Sequence, residues 1–244
     1  MPFTAGHPAA VLPFVRRGLP ASALVIGSMT PDLTMLLPVA VVIHFAHTSL
    51  GLITVDLVLG TGAFVLWQAL FGPAVVAIAP RSLAARLPDD VPRGLAYHFG
   101  SGGRVLRVLV AVLLGAATHI AWDSITHDWM WGTQHIPWLE ARHGSLLGWQ
   151  WMQHFSDVAA TVIIVAWLAV WWRRAPQRSA PEQIESRRTR VLAWSAILGP
   201  AVAGFLYGLL TDSLFVGFSR GAALGAVGLV AVAATWSARR RVPA

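Results

Sequence analysis

Polar positions are scarce along this chain, and the apolar runs between them are long. Four runs, 50–74, 104–126, 147–172 and 213–236, each supply the roughly 20 mainly apolar residues that a membrane-crossing helix needs. A fifth, 191–211, does so too. The segment 20–46 is apolar but interrupted by Pro31, Asp32 and Pro38, which predicts a kinked span or a pair of half-helices. Residues 7–16 predict a short surface or re-entrant helix. Between the runs, 75–103 reads as a proline-bearing loop, and 173–190 is the one stretch of disordered composition. No internal repeat is visible. The pattern predicts an all-α, polytopic membrane bundle of about five to six transmembrane helices with a broken N-terminal segment. It reads as a single domain over 1–244, with a site-bearing core in 1–172 and two further helices in 191–236.

Composition sharpens this picture. Hydrophobic residues make up 56% and charged residues 12% of the chain, where a soluble domain carries about 25% charged residues. Mean hydropathy is +0.62. There is no cysteine, which excludes disulfides and thiolate metal sites and leaves imidazole and carboxylate as ligands. The net charge of +7 comes from arginine alone. These arginines sit in loops between apolar runs, so they read as topology signals, and no nucleic-acid partner is expected. The first thirty residues lack a basic start followed by a small-residue cleavage site, so no removable signal peptide is expected.

Threading the runs through a bilayer gives two sides. Side A receives the start of 50–74, the end of 104–126 and the start of 147–172. Side B receives Arg81, Arg86, Arg93, Arg104, Arg107, Arg173, Arg174, Arg178, Arg187, Arg188, Arg190, Arg239, Arg240 and Arg241, and side A only Arg142. The positive-inside rule makes B cytoplasmic. Side A then faces outward from a bacterial plasma membrane, with Trp129, Trp131, Trp138, Trp149 and Trp151 as an interfacial belt.

Side A is also where the ionisable residues gather. His119 and Asp123 stand four apart on a helix, share a face and can bind one metal ion together. His154 and Asp157, three apart, can do the same. His127 lies about 12 Å beyond His119 on a straight helix, too far for the same ion but suited to a neighbouring one. His47 lies on the same side and is expected to join His119 and Asp123. Taken singly, His98, His135 and His143 read as ordinary hydrogen-bonded histidines. Ionisable residues inside a membrane are rare and usually functional.

Two resemblances follow from these motifs. MPFTAGHPAAVLP, GSMTPD, HTSLG, HIAWDSITHDWMWG and the QHFS segment resemble an uncharacterised bacterial membrane-protein family, domain of unknown function 4184, from residue 1 to about 172. The order His7, Asp32, His47, His119-x-x-x-Asp123, His127, then His154 with Asp157 is similar to the ligand order of zinc-dependent phospholipase C and the P1-type nucleases. The membrane-bound metal-dependent hydrolases share a version of it. The resemblance implies that Asp32, His47, His119 and Asp123 share one divalent ion, zinc by the family pattern, with Asp123 bridging to a second. His127, His154 and Asp157 would hold a further ion. This chain departs from the pattern in its final pair, which is His154-x-x-Asp157, and in starting six residues before His7. Asp32 and His47 would be about 22 Å apart on one straight helix, so the assignment requires 20–46 to bend. The competing reading of Pro31-Asp32 is a helix start beside a surface loop.

The chemistry these expectations imply is metal-assisted hydrolysis of an amphiphilic phosphate ester or lipid-like substrate, with Asp32 or Asp157 as general base. A different class is a metal-free isoprenoid cyclase or lyase using Asp32 or Asp123 as proton donor. A third is a non-catalytic scaffold or metal transporter. A transporter places ionisable groups along a path through the bilayer, and the B-side halves of the runs are almost purely apolar.

Overall fold

The computed structural model of the protein describes residues 4–34, 44–87, 92–178 and 185–241. The bend expected at Pro38 lies outside the described residues, as does the middle of the 173–190 loop. The short elements at the N-terminal end are α1 (Pro8–Val11), α2 (Ala21–Gly27) and α3 (Thr30–Leu33). Five long helices follow: α4 (Ser49–Ile78), α5 (Gly102–Asp123), α6 (Gly148–Arg174), α7 (Arg187–Thr211) and α8 (Leu214–Arg241). All five are long and apolar enough to cross a membrane. The fold is an all-α polytopic bundle. Its only described strands, Arg142–His143 and Leu146–Leu147, form a small antiparallel hairpin whose turn needs the positive φ of Gly144.

Local chemistry explains where elements start and stop. α2 ends at Gly27, and a new turn begins at Thr30 with Pro31 in its first turn, where a missing N–H leaves no helical bond unmade. Thr48 caps α4 by accepting the Gly51 N–H at 3.0 Å. Within α4 the stretches Leu52–Asp56 and Trp67–Phe71 widen into π-helical turns, a feature that often accompanies functional sites.

Packing divides the chain into two compact units, Met1–Val65 with Ala96–Arg174, and Leu66–Leu95 with Ala175–Ala244. In the first unit Val11, Leu24, Phe64, Val108 and Val112 form a fully buried cluster. α2 lies directly on α5 because glycines remove the side chains that would keep the backbones apart. A Cβ on Gly27 would sit 2.3 Å from the Val112 carbonyl oxygen, and one on Gly115 would sit 2.4 Å from that of Leu24. This contact brings the end of α2 beside His119. In the second unit α7 and α8 pair through Gly208 against Gly217 and Gly228 against Ala196. The glycine-rich spacing of the last helix therefore serves close helix contact.

Candidate metal centre

α5 delivers two side chains of the site. His119 and Asp123 lie one turn apart at its C-terminal end and are both buried. The Ser28 carbonyl at the end of α2 lies 2.8 Å from His119 Nδ1. A carbonyl can only accept, so Nδ1 donates its proton to Ser28, which turns Nε2 toward the carboxylates. That nitrogen stands 3.1 Å from Asp123 Oδ2 and 3.5 Å from Asp32 Oδ1.

The other contributors come from short elements and helix ends. Asp32 projects from the turn that Pro31 opens, and Thr4 donates its hydroxyl to Asp32 Oδ2 at 2.6 Å. This leaves Oδ1 to face the histidines. His47, just ahead of the Thr48 cap, places Nε2 at 3.4 Å from Asp123 Oδ2 and 3.9 Å from Asp32 Oδ1. Asp32 and His47 therefore meet, at 3.9 Å between side chains. His7 stacks on His119 with ring centroids 3.7 Å apart, and its Nε2 is 3.5 Å from Asp123 Oδ1. His127, one turn beyond Asp123, brings Nδ1 to 3.5 Å from Oδ2. Trp129 lies edge-on to His47 at 5.3 Å.

Asp32, His47, His119 and Asp123 each offer one ligand atom, all within 4.8 Å of one another. Four ligands bound at about 2.0–2.2 Å around a tetrahedral ion stand about 3.3–3.6 Å apart. The measured separations of 3.1, 3.4, 3.5 and 3.9 Å bracket that edge. Charge leads to the same conclusion. Two carboxylates that face one another out of water repel unless a cation lies among them. His119 Nε2, Asp123 Oδ1 and both ring nitrogens of His7 are buried without a hydrogen-bond partner among the described residues. The donor set fits a divalent cation, with the Ser28 carbonyl and Thr4 hydroxyl orienting its ligands from outside.

Two imidazoles beside the site and the Asp32 carboxyl are held in their metal-binding forms. Burial first, then the neighbouring His119, pulls the His7 imidazole down from 6.5 to about 4, so it is neutral near pH 7. Burial likewise lowers His127. Burial alone would raise Asp32, but His119 and the Thr4 hydroxyl outweigh it and hold the carboxyl below its ordinary value. Neutral imidazole and ionised carboxylate are the metal-binding forms.

The remaining sequence-selected residues are placed differently. His154 is exposed on α6 and Asp157 is half-buried there, and neither is in the group of four ligand residues. His135 and His143 stack on Trp131 and Trp138 and donate to those residues' carbonyls at 2.8 Å. His98 is buried edge-on to Phe64. Asp56 is the residue that reading the sequence missed. It is fully buried in the first π-helical turn of α4, and both carboxyl oxygens lack a hydrogen-bond partner among the described residues. That turn packs against α3 and α5, which carry Asp32, His119 and Asp123. The available signal was a lone acid inside an apolar run.

The chain belongs to the family described as Domain of unknown function (DUF4184), whose model matches residues 1–239. No curated protein and no solved structure matches it.

Proposed function

We propose that this member of the DUF4184 family is a membrane-embedded, metal-dependent hydrolase. Its substrate is an amphiphilic phosphate ester, and its site opens to the extracytoplasmic face. The observation that carries this reading is the largely buried group of Asp32, His47, His119 and Asp123, with its ring nitrogens and carboxylate oxygens all within 4.8 Å of one another. These four residues would hold the ion, zinc by the resemblance of ligand order, with His7 and His127 against Asp123. When bound, such an ion supplies Lewis acidity toward a phosphoryl oxygen and lowers the pKa of water.

The chain's own residues would do the rest. Thr4 donates to Asp32 Oδ2 and so turns Oδ1 toward the histidines, which orients Asp32 as a ligand of the ion. Ser28 holds the His119 ring in one orientation. Trp129 walls the site beside His47. The amphiphilic substrate is inferred from the site's position at the end of a membrane-length helix and from exposed Trp131, Trp138 and Trp151 nearby in the chain. The extracytoplasmic orientation is inferred from the arginine asymmetry.

The test is hydrolysis of lipid phosphates and polyprenyl phosphates by the detergent-purified protein, with and without chelator. Phosphate release that stops with chelator, returns with zinc and is absent in Asp123→Ala supports the reading. Full turnover of the metal-free protein overturns it and favours metal-free acid–base chemistry.

A further inference from the structure

A second ligand site lies in the other unit and shares no residue with the metal centre. A groove of about 700 Å³ runs along one face of α7 and is bounded on the other side by Ile78 and Pro80, at and just after the end of α4. Arg187, Arg190, Trp194, Leu198 and Val202 line it at steps of three or four residues, so they form one continuous helical stripe. The stripe is cationic at one end and apolar along the remainder. From Arg190 to Val202 it extends about 18 Å, close to the roughly 15 Å of hydrocarbon in one bilayer leaflet.

We propose that this groove binds one anionic phospholipid, with the phosphate at Arg187 and Arg190 and an acyl chain along Leu198 and Val202. Charge complementarity selects the occupant. Arg187 is exposed and makes no hydrogen bond or ion pair among the described residues. Arg190 donates from Nη1 to the Ala79 carbonyl at 3.2 Å, which fixes its guanidinium at the groove. Among the described residues that line the groove none is acidic. The walls are tied together, because Trp194 donates its indole N–H to the Ile78 carbonyl at 2.9 Å. Space for a chain is present at Gly199, where an added Cβ would meet nothing within 4 Å. Basic pockets at the membrane surface beside spanning helices recognise anionic headgroups in this way.

Native mass spectrometry of the whole protein tests the proposal, using mixed micelles of phosphatidylglycerol or phosphatidylcholine with identical acyl chains. One phosphatidylglycerol should be retained, and phosphatidylcholine should not. Arg187→Gln with Arg190→Gln should weaken retention about thirtyfold, from two arginine–headgroup contacts. Gly199→Leu, which occupies the groove without meeting backbone, should also remove the lipid. Arg239→Gln removes a charge outside the groove and should leave retention unchanged. Equal retention of both lipids, or an equal loss in Arg239→Gln, would overturn the site in favour of general surface charge. Competition by soluble glycerol phosphate as strong as by the lipid would overturn the role of the apolar stripe. Metal content, read on the same samples, should be the same in all variants.

Discussion

Gly115→Ala tests whether helix packing sets the chemistry of the site. A Cβ there would lie 2.4 Å from the Leu24 carbonyl oxygen and 2.6 Å from the Ser28 nitrogen, whereas ordinary contact begins at 3.4 Å. The end of α2 must therefore retreat from α5 by 1.0 Å, the difference between 3.4 and 2.4. The Ser28 carbonyl accepts from His119 Nδ1 at 2.8 Å, so the same displacement takes it beyond hydrogen-bond reach. His119 then loses the partner that fixes its ring angle. Losing such an outer partner costs about 10–100-fold in metal affinity, or about 1.4–2.7 kcal/mol. Gly27→Ala, whose Cβ meets Val112 at 2.3 Å from the other side, should act alike. Gly62→Ala is the control: its Cβ meets nothing within 4 Å, and alanine is favoured in a helix by about 1 kcal/mol. The assay is a competitive zinc titration in detergent, with circular dichroism to confirm helix content. Folded Gly115→Ala protein with wild-type affinity, or an equal loss in Gly62→Ala, would refute the reasoning.

Three further outcomes follow from the same geometry. Because His7 falls from 6.5 to about 4 on folding, the unfolded chain binds the extra proton between those values. The metal-free protein should then lose about 3 kcal/mol of stability as pH falls from about 6.5 to 4, and His7→Gln should flatten that slope in thermal melts. A melting point that rises on acidification would contradict it. Asp56→Asn removes a buried carboxyl that no donor among the described residues satisfies, so it should stabilise the protein by about 1–3 kcal/mol; a lower melting point would show that Asp56 has a stabilising partner. For topology, Gln134→Cys should react with an impermeant thiol reagent from outside the cell and Gln177→Cys should not, in a chain with no native cysteine. The reverse pattern would invert the membrane orientation.

The long helices were legible because length and apolarity suffice to mark a span. The His119–Asp123 pair was legible because four-residue spacing on one helix leaves no freedom of relative facing. Rotation of a helix about its own axis is encoded less directly. α6 is apolar on most sides, so the three-residue spacing of His154 and Asp157 could not say which way they point. Packing decides it: Gly6 comes up against Ala160, Ser156 and Ala160 turn inward, and His154 is left exposed. The pairing of Asp32 with His47 is a contact between two separate elements that spacing alone cannot supply, although Pro31 marked where a helix is interrupted. Asp56 was overlooked because one acid barely changes the hydropathy of a long apolar run. Its significance appears only once the π-helical turn sets it against the elements that carry the metal-site residues.

Metal content by elemental analysis, on protein purified without chelators, bears most directly on the central claim that four converging side chains form an ion site. The wild type should hold at least one tightly bound divalent ion per chain, and both Asp123→Ala and His119→Ala should lose it with the helical fold retained. A wild-type protein that remains metal-free after equilibration with zinc, or variants that hold as much metal as the wild type, would contradict it.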